Sequence, residues 1–220
     1  MKMNTPTKIT FVRILLTPLM IFLYLADFIP FGLGKLFAGI TLFVACMTDF
    51  LDGYLARKNN QVTDMGKFLD PIADKLLATS AILLLITGTN PVIPTIAGVI
   101  FMFMNLQRDY VITGFRQIAQ LKNKIIAADR LGKNKAIALY TTLVFGMVVA
   151  YIRELSFATL ELLNIFTIII YVLIGITCLF MILSEVNYFI KNPTVLQEEN
   201  AENKEEKKEN IEEVEEIEEK

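Results

Sequence analysis

Histidine and tryptophan are absent from the 220 residues, and cysteine occurs only at Cys46 and Cys178. Without histidine the chain lacks the commonest general base and the commonest zinc ligand. Any proton transfer falls to Asp, Glu, Lys, Tyr or water. Both cysteines lie inside apolar runs, where single thiols act as packing groups, so neither a disulfide nor a thiolate metal site is expected.

What the chain has in abundance is apolar surface. Hydrophobic residues make up 54% of it, and the mean hydropathy is +0.52. Several runs approach the roughly 20 residues with which a helix crosses a bilayer. They cover residues 9–28, 35–56, 70–88, 95–118, 136–152 and 162–190. Thr89, Asn90, Pro91 and Pro94 mark a turn between the third and fourth runs, and a polar basic stretch, 120–135, separates the fourth from the fifth. No separate signal-peptide pattern precedes the first run. The expected fold is an all-α membrane protein, six transmembrane helices in a bundle with a cytoplasm-facing polar active site.

The net charge of −2 hides a division. Residues 196–220 hold 12 acidic and 4 basic residues, a net −8, whereas residues 1–195 carry +6. The first part is read as the membrane domain and the second as an acidic, disordered cytoplasmic tail. A basic body suits anionic lipids and phosphate ligands. With the N-terminus in the cytoplasm, twelve Lys and Arg fall at cytoplasmic helix ends, against Lys35 and Arg153 on the other side. That asymmetry places both termini in the cytoplasm of a multi-pass cell-membrane protein.

Residues 49–74, DFLDGYLARKNNQVTDMGKFLDPIAD, organise the rest. Asp49 and Asp52 are spaced i, i+3, and Asp70 and Asp74 i, i+4, so each pair shares one helical face. Asp49, Asp52, Gly53 and Ala56 form one stripe, and Gly66, Asp70 and Asp74 another. The small residues leave room for a ligand to approach the backbone. Ionised carboxylates at the end of a membrane helix are costly and usually functional. Four oxygen donors without His or Cys favour Mg²⁺ or Mn²⁺, with Ca²⁺ the next choice. Two such ions about 4 Å apart clamp a diphosphate and stabilise its leaving oxygen. Arg57, next along, adds a charge for a phosphate. Two plainer readings compete. The aspartates pair with Arg57, Lys67 and Lys75 in interfacial salt bridges, or they line a cation transport path.

The same stretch resembles the signature of the CDP-alcohol phosphotransferase family, D-x2-D-G-x2-A-R-x8-G-x3-D-x3-D. Asp49, Asp52, Gly53, Ala56, Arg57, Gly66, Asp70 and Asp74 match at all eight fixed positions. The resemblance runs over residues 5–188. It implies a six-helix membrane enzyme, usually a homodimer, with a two-metal site of Mg²⁺ or Mn²⁺. By that resemblance Asp49 and Asp70 bridge both metals, Asp52 holds one and Asp74 the other. Asp74 also takes the proton of the acceptor alcohol. Gly53, Ala56, Arg57, Thr63 and Gly66 would form the CDP-diacylglycerol site. Thr5, Pro6 and Thr10 are similar to the family's pre-helix segment that closes over the nucleotide.

The acceptor is written elsewhere. Arg108 and Asp109, then Gly114-Phe115-Arg116, then Gly132-Lys133-Asn134-Lys135, resemble the branch of the family that accepts glycerol 3-phosphate. That branch reads R-E, G-[LF]-R and G-K-x-K-T-x2-Q. This chain departs with Asp109 for Glu, Ala136 for Thr and Leu139 for Gln. A phosphorylated acceptor needs fixed cations, and Arg108, Arg116, Lys133 and Lys135 supply them. The implied reaction moves a phosphatidyl group from CDP-diacylglycerol to glycerol 3-phosphate. The other acceptors in view are phosphatidylglycerol, inositol phosphate and serine. The implied partners are those substrates, membrane lipids and a second copy of the chain, with no nucleic acid.

Overall fold

A computed structural model describes residues 5–58, 64–88, 91–122, 130–155 and 158–193; within its helices, the side chains of 5–9, 49–58 and 64–68 fall outside the description. The described residues form α1 (Thr5–Leu25), a 3₁₀ turn (Pro30–Gly32), α2 (Leu33–Lys58), α3 (Asp64–Ile86), α4 (Thr95–Leu121), α5 (Arg130–Ile152) and α6 (Leu160–Lys191). There is no strand among them. The acidic tail expected over 196–220 lies outside the described residues.

The six helices follow the six apolar runs, but several begin earlier. α3 starts at Asp64 rather than at residue 70, and α5 at Arg130 rather than at 136. An apolar run ends where lipid would end, while the helix continues because Lys, Arg, Asn and Asp outside the apolar layer do not break its hydrogen-bond ladder. Thr5 and Pro6, expected as a pre-helix segment, are instead the first turn of α1. Proline is tolerated there because the first-turn N–H has no intrahelical acceptor. Local chemistry also sets the other ends. Pro94 caps α4. The Thr159 side chain accepts the Leu162 N–H at the start of α6, where Glu161 and, at the far end, Lys191 complement the helix dipole.

Three spans are long and apolar enough to cross a membrane, Pro30–Thr48, Arg130–Ile152 and Leu160–Lys191, and Thr10–Leu25 is a shorter apolar helix. Leu15, Phe22, Phe103, Ile137 and Ile168 are exposed on the outside of the bundle. Apolar surface of this extent is what lipid, not water, covers, and the protein is membrane-embedded.

Neighbour packing closes a ring in the order α1, α2, α5, α6, α4, α3, with α3 also touching α5 across the middle. α5 is a heavily enclosed strut, burying Leu139, Tyr140, Leu143, Met147, Val149 and Ala150. Gly146 lets α3 close on it, since a Cβ there would lie 2.6 Å from Leu85 Cδ1. Because successive helices run in opposite directions, one end of the bundle collects the starts of α1, α3 and α5 and the ends of α2, α4 and α6.

Candidate active site

At that end Asp70 and Asp74 sit one turn apart on α3, each held by a hydroxyl from a different neighbour. Thr10 Oγ1 of α1 donates to Asp70 Oδ1 at 2.5 Å, and Thr10 is buried. From the other side, the Tyr140 hydroxyl of α5 donates to Asp74 Oδ1. A carboxylate held through one oxygen keeps the other for chemistry. Thr10 was matched to nucleotide closure by resemblance; its hydroxyl is engaged with Asp70.

Arg13 lies one turn beyond Thr10 on α1 and is fully buried, with Thr17 a further turn along donating to the Arg13 carbonyl at 3.1 Å. A guanidinium shut inside an apolar bundle is costly unless its environment compensates it. Arg13 is absent from the residues singled out in the sequence, although its signal is the one that drew attention to Arg108: a lone cation in an apolar run.

A second polar cluster joins α4, α5 and α6. Arg108 Nη1 donates to Asp109 Oδ1 at 3.0 Å, and its Nη2 to the fully buried Ser184 Oγ of α6 at 2.6 Å. Lys135 of α5 ion-pairs with the same Asp109 at 2.9 Å, and its side chain is only 5% exposed. Gly132 makes room for this cluster: a Cβ there would stand 3.1 Å from Arg108 Nη2. Asp74 is the weakest of the charged neighbours that act on Lys135, after Asp109 and Arg108.

The four cations expected at an acceptor phosphate therefore divide. Arg108 and Lys135 converge on Asp109. Lys133 is exposed. Arg116, also exposed, donates to the Tyr188 hydroxyl at 3.0 Å, its guanidinium 5.7 Å from that ring. Lys75 reaches α4, donating to Thr113 Oγ1 at 3.1 Å and lying 4.4 Å from the Tyr110 ring centroid. Of the plain salt-bridge reading, then, the Lys75 component engages Thr113 and Tyr110. Leu139, where the family pattern has Gln, is buried and apolar, and the next residue, Tyr140, carries the hydroxyl that meets Asp74.

α2 runs unbroken through Asp49, Asp52, Gly53, Ala56 and Arg57, and α3 through Gly66. Their side chains, those of Thr5 and Pro6, and Thr63 lie outside the described residues. Among the described residues no group of three or more His, Cys, Asp or Glu gathers around a point. The two α3 carboxylates that are described are hard oxygen donors, the chemistry Mg²⁺ and Mn²⁺ accept.

A cavity of about 390 Å³ lies at the opposite end of the bundle, lined by Tyr24, Asp27, Lys35, Arg153 and Glu154 among others. It is separate from the aspartates. Arg153 there holds the Pro91 carbonyl at 2.7 Å, and Lys35 pairs with Glu154.

A membrane helix bundle with paired carboxylates and buried cations at one end has the form of a lipid-handling phosphotransferase. A model of the CDP-alcohol phosphatidyltransferase family matches residues 3–179, and the chain belongs to that family. Among curated relatives, a Bacillus subtilis (strain 168) protein is 38% identical over 144 residues, covering 60% of this chain and 70% of that one. A Haemophilus influenzae protein is 34% identical over 167 residues, 75% of this chain and 86% of that one. One from Wigglesworthia glossinidia brevipalpis is 32% identical over 137 residues, 61% and 71%. All three are named CDP-diacylglycerol--glycerol-3-phosphate 3-phosphatidyltransferase.

Proposed function

We propose that this protein transfers the phosphatidyl group of CDP-diacylglycerol to glycerol 3-phosphate, giving phosphatidylglycerophosphate and CMP in phospholipid biosynthesis. The observation that carries the reading is the meeting, at one end of the bundle, of two chemistries. Asp70 and Asp74 are held on α3, and Arg108 and Lys135 converge beside them on Asp109. The relatives' shared name supplies the two substrates.

Asp49, Asp52, Asp70 and Asp74 would hold the metals; bound Mg²⁺ or Mn²⁺ supplies positive charge to the diphosphate and to the leaving CMP. Gly53, Ala56 and Gly66 would let the nucleotide approach the backbone closely. Arg57, Thr63, Thr5 and Pro6 would bind the cytidine diphosphate, as the resemblance implies, and Thr10 acts through Asp70. Asp74 takes the proton of the acceptor hydroxyl. The resulting oxygen attacks the phosphorus that bears diacylglycerol, the bond from that phosphorus to the bridging oxygen breaks, and CMP leaves with the electron pair. Arg108, Arg116, Lys133 and Lys135 bind the acceptor phosphate as charge-assisted donors. Arg13 adds a fixed positive charge at this end.

In this reading all six helices span the cell membrane, and the acyl chains stay in the bilayer. Both termini and the site face the cytoplasm, and the working unit is a homodimer. The test is CMP release by the purified protein in detergent with CDP-diacylglycerol and Mg²⁺ or Mn²⁺, with and without glycerol 3-phosphate. Release that depends on glycerol 3-phosphate is expected. Release with a different alcohol alone would move the protein to another branch of the family, and no release from folded protein would reject the enzyme reading.

A further inference from the structure

Tyr140 stands outside every role assigned so far, yet its hydroxyl donates to the Asp74 carboxylate. Its ring belongs to the apolar core formed with Leu139, Leu143 and Met147, and the residue is 9% exposed. A phenol turns about only two side-chain torsions, so a packed ring delivers its hydroxyl to a fixed point. The point it reaches is Asp74 Oδ1, across the α3–α5 contact that Gly146 keeps close.

We propose that Tyr140 is a positioning residue for Asp74. Its O–H holds Oδ1 and sets the plane of the carboxylate, so that Oδ2 is presented to the acceptor hydroxyl and the metal. The inference rests on the proposed function for the identity of Asp74 as ligand and base. Its geometric part does not. A carboxylate free to rotate about its last torsion spreads its lone pairs over a broad range, whereas one tied through a single oxygen is preorganised. Asp70 is tied in the same way by Thr10, so the two α3 carboxylates are fixed from opposite flanks.

The experiment uses the full chain in detergent, with Tyr140→Phe and, as a matched hydroxyl deletion on the outside of α6, Tyr171→Phe. Mn²⁺ binding is read by electron paramagnetic resonance, CMP release by steady-state kinetics, and folding by thermal unfolding. For Tyr140→Phe, Mn²⁺ affinity and kcat should each fall about tenfold, the lower end for a lost outer-shell hydrogen bond. The KM for glycerol 3-phosphate and the unfolding midpoint should be unchanged. Tyr171→Phe should match the parent throughout. Parental Mn²⁺ affinity and kcat in Tyr140→Phe would overturn the proposal. So would a variant that fails to fold, because the hydroxyl would then serve stability alone. A parent protein that binds Mn²⁺ but makes no product refutes the proposed function and leaves Tyr140 to be judged on Mn²⁺ affinity. A parent that binds no Mn²⁺ refutes both.

Discussion

Lys135 of α5 and Asp109 of α4 form an ion pair at 2.9 Å in which both side chains are largely buried, and Arg108 shares the same carboxylate at 3.0 Å. One acid thus holds two cations from two helices. In the proposed function, an acceptor phosphate entering beside them would meet donors already gathered and would compete with Asp109 for Lys135. Lys135→Met, which keeps the stem and deletes the charge, should raise the KM for glycerol 3-phosphate about tenfold, as expected for a lost charge-assisted contact of ~1.4 kcal/mol. The KM for CDP-diacylglycerol should stay unchanged. Steady-state CMP release with each substrate varied in turn checks both values.

Asp109→Asn removes the counter-charge from two buried cations without changing shape. Breaking a buried pair by deleting one partner costs about 3 kcal/mol or more. The variant should therefore unfold at a clearly lower temperature in detergent. The double change Asp109→Asn with Lys135→Met should recover part of that loss, because one stranded cation is gone. Thermal unfolding of the two single variants and the double variant measures the coupling, and additive losses would show that the pair is not coupled.

Asp74→Asn retains an oxygen that can accept the Tyr140 hydroxyl, so fold and unfolding midpoint should be retained. The amide cannot take a proton from the acceptor alcohol, and turnover should drop at least about a hundredfold, the lower bound for losing a positioned general base. Unchanged CMP release would remove Asp74 from that role.

The i, i+4 spacing of Asp70 and Asp74 was readable in the sequence because helical periodicity alone places both on one face, and six apolar runs announced six helices. The stretch 130–135 was not readable as helix, since hydropathy marks the edge of lipid rather than the end of hydrogen bonding. The contacts of Thr10 with Asp70 and of Tyr140 with Asp74 were opaque for a different reason. The partners lie 60 and 66 residues apart, and a tyrosine in an apolar helix carries the same pattern as a phenylalanine. Arg13 was legible in principle, because a lone cation in an apolar run demands a partner wherever the chain folds.

Gly132 and Gly146 both lie on α5, but they serve different ends, and an added side chain at each should separate them. At Gly146 a Cβ would come within 2.6 Å of Leu85 Cδ1, the contact that sets the distance between α3 and α5. Gly146→Val should overpack that crossing and cost about 1–3 kcal/mol of stability. It should also lower kcat, because Asp74 and Tyr140 would no longer meet across the same gap. At Gly132 a Cβ would stand 3.1 Å from Arg108 Nη2, the end of a flexible side chain that can shift by a few tenths of an ångström. Gly132→Ala should keep the unfolding midpoint and raise only the KM for glycerol 3-phosphate, by about threefold, the effect of a weakened rather than lost hydrogen bond. If instead Gly132→Ala lowers kcat and leaves that KM alone, Arg108 acts on the reacting end of the site rather than on the acceptor phosphate.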